Sequence, residues 1–228
     1  MPNLQLLNSQ VHAHLRLRAA GEQTLHFVQI LAPEFLVAST RCPILFTKYP
    51  ETGGFYAGAM FGFKPGENLL GSAEDRNSFQ PLMLQREGFF MSEQHIAIDR
   101  DHARFSEHDG EPLFDESRQP GNSLRAIQRT LGEINAGLER TKSFIDAVVA
   151  LKLIEPIDIS LGFTNGERLT LQGLYTVSLD ALRDVDDAAA LALFRAGHLQ
   201  LAYTMAGSLR QIPRLARLRE QRLLQPAQ

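Results

Sequence analysis

Between residues 122 and 224 the hydrophobic pattern of the chain changes twice. Leu124, Ile127, Leu131, Ile134, Leu138, Thr141, Ile145 and Val148 step by three and four. That spacing puts one apolar stripe on a helix and predicts a helical segment over residues 123–153. Asn122 or Ser123 is placed to cap its start. Gly132 and Gly137 each cost about 1 kcal/mol relative to alanine, which predicts a kink or break near 132–140. The period then drops to two: Ile157, Ile159, Leu161 and Phe163 alternate, and so do Leu169, Leu171, Tyr175 and Val177. Asn165-Gly166 between them supplies positive-φ turn residues, so 157–163 and 168–177 read as a β-hairpin. From Leu191 onward an apolar series follows, through Phe194, Leu199, Leu201, Tyr203, Met205, Leu209, Ile212, Leu215 and Leu218. Gly197, Gly207 and Pro213 divide this helical region, 179–224, into two or three helices, with Ser178 or Asp180 as its first cap.

The first half of the chain reads mostly as strands. Residues 24–31, 43–47, 54–63 and 95–99 are strand candidates, and 33–39 is a short helix opened by Pro33. Gly58 and Gly62 mark places where a neighbouring backbone or a bulge comes close. Residues 64–76 read as a loop, and 78–91 as extended or irregular, because Pro81 and Gly88 interrupt it. Residues 103–107 and 111–114 flank Asp109-Gly110, a second hairpin signal. The fold class expected is α+β: mainly antiparallel sheet, a long central helical segment and a helical C-terminal subregion. Residues 1–23 read as an N-terminal arm, and 24–228 as a single α+β domain.

Composition narrows the classes. The chain has 228 residues, with 23 Lys and Arg against 26 Asp and Glu, a net charge of −3. That balance does not point to nucleic acid. The only cysteine, Cys42, rules out an intramolecular disulfide. No basic start precedes an apolar core at the N-terminus, and no apolar run approaches the roughly 18 residues of a membrane-spanning helix. The expectation is a cytoplasmic protein without a transmembrane segment; export without a signal would leave no trace in the sequence.

Candidate chemistry is sparse. His12-x-His14 lies on the arm, where it reads as a surface pair. Glu107-His108-Asp109 with His102, Asp99 and Asp101 is the densest metal-capable cluster, and His102, His108 and Asp109 are its candidate ligands, but adjacent side chains at a hairpin tip diverge, so a solvated turn is the expectation and no metal is assigned. Cys42, beside Arg41, reads as a buried apolar residue before it reads as a nucleophile. No Gly-x-Ser-x-Gly elbow and neither glycine-rich nucleotide fingerprint occurs, so no cofactor and no catalytic residue are assigned. Arg86 lies in an apolar stretch and must find carbonyls or a carboxylate; clamping a ligand carboxylate is its functional alternative. Arg210, Arg214 and Arg217 follow helical spacing and would line one basic face, with Tyr203 and Met205 as neighbouring apolar anchors for a partner.

Separate blocks of sequence, in order, resemble the SapC family. They include Phe27-Val28-Gln29-Ile30, Cys42-Pro43-Ile44-Leu45-Phe46 and Gly66-Glu67-Asn68-Leu69. Phe79-Gln80-Pro81-Leu82-Met83-Leu84-Gln85-Arg86, Ile96-Ala97-Ile98-Asp99 and Gly110-Glu111-Pro112-Leu113-Phe114-Asp115 continue the match. Leu153-Ile154-Glu155-Pro156, Gly173-Leu174-Tyr175, Gly197-His198-Leu199 and Ser208-Leu209 complete it. The family often has a tryptophan after its Gly-Glu-Asn block; this chain has none, and Phe79 is the nearest substitute. The resemblance implies a bacterial accessory protein, cytoplasmic or surface-associated, but supplies no catalytic residues. It also implies a setting beside cupin-type oxygenases, flavin-dependent halogenases and TonB-dependent receptors, in surface uptake or peptide modification.

The function expected is therefore a non-catalytic accessory protein that recognises a peptide or protein partner, with a homodimer left open. An enzyme with its site between Arg86 and His108, or a surface-layer component, are the alternatives.

Overall fold

The computed structural model describes residues 3–19, 24–70 and 79–224. In chain order the strands are β1 (Leu4–Leu6), β2 (Arg16–Leu17), β3 (Phe27–Gln29), β4 (Ile44–Lys48), β5 (Phe55–Met60) and β6 (Phe89–Ser92). They continue with β7 (His95–Asp99), β8 (Phe105–Ser106), β9 (Glu111–Pro112), β10 (Ile154–Gly162) and β11 (Arg168–Val177). The helices are α1 (Phe35–Ser39), α2 (Leu82–Gln85), α3 (Asn122–Ala150), α4 (Leu179–Arg183), α5 (Asp187–Arg195), α6 (His198–Ser208) and α7 (Ile212–Leu224). The protein is α+β, and the pairings between these strands are antiparallel.

Contacts divide the chain into two compact units. One comprises Met1–Gln23 with Gln80–Ala136, the other Thr24–Phe79 with Gly137–Gln228. In the first, β1, β7 and β6 form one sheet, and β8, β2 and β9 another. The segment expected to be an irregular arm thus supplies two strands. The expected pairing of 103–107 with 111–114 does not form: β2 lies between β8 and β9 and pairs with both. Alternation marks strands but not their partners, so an Asp-Gly turn is compatible with a third strand lying between its two arms. The core of this unit gathers Leu15, Phe89, Ile98 and Leu113 with Leu124, Ile127 and Leu131 of α3. Residues 82–85, expected to be irregular, form one helical turn.

His12 belongs to this unit and is buried, not at the surface. Its Nδ1 accepts from the Asn8 N–H at 3.0 Å and its Nε2 lies 3.1 Å from Gln5 Oε1, a pattern that suits the neutral ring with its proton on Nε2. Burial, and the charge of Arg100, lower its pKa below 6.5.

The second unit is built on the order β10-β11-β4-β5-β3. Successive strand residues point to opposite faces, and β4 buries both: Ile44, Leu45 and Phe46 are fully enclosed. On one face Phe46 meets Phe144 of α3, whose ring also meets Phe35 of α1 edge-on at 5.9 Å. On the other, Leu45 joins Met60, Ile159, Phe163 and Leu215 of α7. The predicted hairpin forms as β10 and β11, with Gly166 at φ +84° in its turn and a register shift between Ile157 and Ile159. The backbone approach expected at Gly58 and Gly62 is found at Gly62, where a Cβ would run into the Glu67 carbonyl oxygen; at Gly58 the close neighbour is instead a side chain, the Phe27 ring. Ser178 caps α4, accepting from the Ala181 N–H, and Asp186 caps α5.

The break expected near 132–140 is absent, and α3 runs unbroken through both glycines. Gly137 is used for packing: a Cβ there would sit 3.0 Å from Leu31 Cδ1. A second departure follows along the same helix. After Ile134 the buried positions become Thr141, Phe144 and Val148, while Leu138 (44% exposed) and Val149 (45%) turn outward.

Candidate functional site

Those outward positions wall a groove. A cavity of about 500 Å3 opens where the β4–β5 turn and the start of β5 meet the second half of α3. Its apolar lining comes from Leu31, Phe55, Ala57, Leu138, Ile145 and Val149. Tyr49 and Tyr56 form a stacked aromatic wall, 4.4 Å between ring centres. The size falls within the roughly 300–1,000 Å3 of small-ligand and side-chain pockets.

The polar groups around it are few and largely satisfied. Thr141 Oγ1 accepts from the Ala32 N–H at 2.8 Å and donates to the Gly137 carbonyl at 2.6 Å. Lys142 and Asp146 neutralise one another at 2.6 Å, four residues apart on α3. Their hydrogen bond holds the Lys142 pKa above its ordinary value. Burial raises the Tyr56 pKa, and neighbouring Tyr49 adds to it, so the phenol keeps its proton and serves as a donor. Gln29 also lines the groove. An apolar cleft with an aromatic wall and a few hydrogen-bonding groups suits recognition of an apolar or aromatic group. A wider depression along Asn122, Arg125, Gln128 and Arg129 is lined by one helix alone and has no such walls.

The residues singled out from sequence are not brought into this groove. Met205 is fully buried, so the anchoring role expected of it is core packing. Arg214 is half-buried and donates to the Arg41 carbonyl at 3.0 Å, which takes it off the basic face expected of the trio. Tyr203, Arg210 and Arg217 remain exposed. Arg86 donates to the Phe89 carbonyl at 3.2 Å and lies over the Phe90 ring, the structural alternative considered for it.

His102 Nδ1 accepts from the Arg104 N–H at 3.3 Å, and Asp109 pairs with Arg18 at 3.1 Å. Among the described residues no three His, Cys, Asp or Glu groups gather as metal ligands. The Cys42 thiol is enclosed, and burial pushes its pKa up to about 12, with Arg214 opposing only in part. It is a protonated thiol at neutral pH.

Two groups were given no role from the sequence. Arg219 is buried and pairs with Glu67 and Glu167 (2.8 Å to the latter), its guanidinium lying over Phe163. Lys64 completes the network on Glu167, whose pKa is lowered by its hydrogen bonds to Lys64 and Arg219. His198 is buried at the start of α6, 3.4 Å from Ser143 Oγ and edge-on to Phe144. Burial, helped by the Arg140 charge, lowers its pKa below 6.5.

His12 and His198 together predict a pH dependence. Both bind a proton less readily when folded than when unfolded. Between the lowered folded pKa and 6.5 the unfolded chain therefore carries more protons. Their contribution is present above pH 6.5 and is lost as the pH falls below it. Urea midpoints measured from pH 7.5 to 5 should decline, and the decline should shrink in a His12→Gln, His198→Gln variant. A slope unchanged in that variant would assign the loss to other groups.

The described residues thus define an α+β protein in which antiparallel strands and one long helix enclose an aromatic groove. A family model described as SapC matches residues 7–215, and the chain belongs to the SapC family. No curated protein and no solved structure matches it. Among the described residues no helix is long and apolar enough to cross a membrane.

Proposed function

We propose that this protein is a non-catalytic accessory protein of the cytoplasm that holds an apolar or aromatic side chain of a peptide or protein partner. The groove between β5 and α3 is its binding site. The carrying observation is the stacked Tyr49–Tyr56 wall facing outward-turned Leu138 and Val149. The groove's own lysine and aspartate compensate one another, so it offers binding surface and not an acid–base pair. Exposed Tyr203, Arg210 and Arg217 are proposed as a supplementary partner contact that steers approach by charge. The setting proposed is the one the family resemblance implies, surface uptake or peptide modification.

The chain has four tyrosines and no tryptophan, so its own emission is tyrosine emission. Titration with short peptides whose central residue is Trp, Phe, Leu, Ala or Lys should quench it for the tryptophan peptide. Competition should rank the apolar centres above alanine and lysine. Tyr56→Ala and Leu138→Asp should each weaken binding about tenfold or more, roughly 1.4 kcal/mol. Arg217→Glu should act mainly through the association rate and its salt dependence. Equal binding by all these variants, or no preference among the peptides, would overturn the reading.

A further inference from the structure

α5 presents an apolar face to solvent. Leu193 is its buried contact, while Ala188, Leu191, Ala192 and Phe194 are exposed, Phe194 at 69%. One position per 100° of turn places Ala188, Leu191 and Arg195 opposite Leu193, with Phe194 and Asp187 alongside them. The charges at its two ends are opposite. Asp187 stands in the first turn and Arg195 in the last, each four residues from Leu191. Neither has an ion-pair partner among the described residues. Asp184 and Asp186 extend the acidic end, and the Arg140 guanidinium lies beside Gly197 at the basic end.

This pattern is complementary to itself. We propose that α5 is the face through which two copies of this chain associate, antiparallel, about a two-fold axis at Leu191. Such a pairing sets Leu191 against Leu191 and Phe194 against the small Ala188 of the other copy. It also brings Asp187 of each copy to Arg195 of the other. A two-fold contact requires one patch to satisfy both roles, and an apolar centre midway between an acidic and a basic end does so. Antiparallel helices also oppose their dipoles favourably. The occupant is a second copy because a foreign partner gives no reason for the symmetry about Leu191. At about 1.5 Å rise per residue the nine-residue helix is short, and its contact falls below the ~1,200 Å2 of standard stable interfaces. The dimer is therefore weak and concentration-dependent.

Sedimentation velocity of the full chain, from about 5 to 500 μM at low and high salt, tests it. Association should rise with concentration and weaken with salt. Leu191→Asp should raise the dissociation constant at least tenfold while leaving the circular dichroism spectrum unchanged. Asp187→Arg and Arg195→Asp should each fail to self-associate, because each brings like charges together. Mixed one to one, they should associate again, since the first carries two basic ends and the second two acidic ends. That rescue distinguishes an intermolecular contact from a loss of helix stability within one chain. A wild-type chain monomeric across the range, association untouched by Leu191→Asp, or no rescue on mixing would overturn the proposal.

Discussion

Phe144→Ala is expected to destabilise the unit containing β3, β4, β5, β10 and β11 by about 3–5 kcal/mol, as for other fully buried aromatic truncations. The ring is completely enclosed and touches three others: Phe35 at 5.9 Å, Phe46 at 6.0 Å and His198 at 5.8 Å. It thereby joins α1, α3, α6 and the sheet, and no small side chain can fill the space. Leu138→Ala, on the same helix but lining the open groove, should cost less than about 1 kcal/mol, since its removal leaves no enclosed void. Urea unfolding followed by circular dichroism separates the two. Similar midpoints for both variants would mean that the aromatic cluster contributes little.

Arg219→Met should be the next largest loss, about 2–4 kcal/mol. Breaking a buried ion pair by removing one partner costs roughly 3–5 kcal/mol. The lower figure reflects Glu67 and Glu167, whose side chains keep 18% and 21% exposure and can be partly resolvated. The methionine retains volume over Phe163, so the measured change reports charge more than packing. Two carboxylates are then left with Lys64 as their nearby cation. Exchange of the β10–β11 amide hydrogens is the sensitive readout, because Glu167 follows the hairpin's Gly166 turn. Protection in β10 and β11 equal to that of the unaltered chain would show that the network is dispensable.

The elements were more legible than their neighbours. The β10–β11 hairpin could be read because its alternation, its Asn165-Gly166 turn and its register are local. α3 could be read from its stripe, but the stripe did not say that Leu138 would leave the core for a groove. That depends on Gly137 admitting Leu31 and on Phe144 taking the buried position. Met205 was misplaced because α6 is covered on several sides, by α1, α5, β11 and β4, so its buried positions are not confined to one face. Arg219 was hidden among the other arginines of α7, although its spacing of four from buried Leu215 was a usable sign. The groove drew no notice because Tyr49, just after β4, and Tyr56, in β5, are brought together across the β4–β5 turn, a relation no periodic pattern marks.

The place of β2 between β8 and β9 has a consequence for synthesis. Arg16 and Leu17 are made early, yet their partners Phe105, Ser106, Glu111 and Pro112 leave the ribosome about 90 residues later. At roughly 5–20 residues per second the interval is on the order of 5–20 s. During that time β2 lacks its β8 and β9 partners, while residues 24–79 emerge between the two sequence segments of the first unit. Long-range pairing of this kind slows folding. Bulky fusions are therefore better tolerated after residue 224 than before residue 4, where they would encumber the N-terminal segment that carries β2.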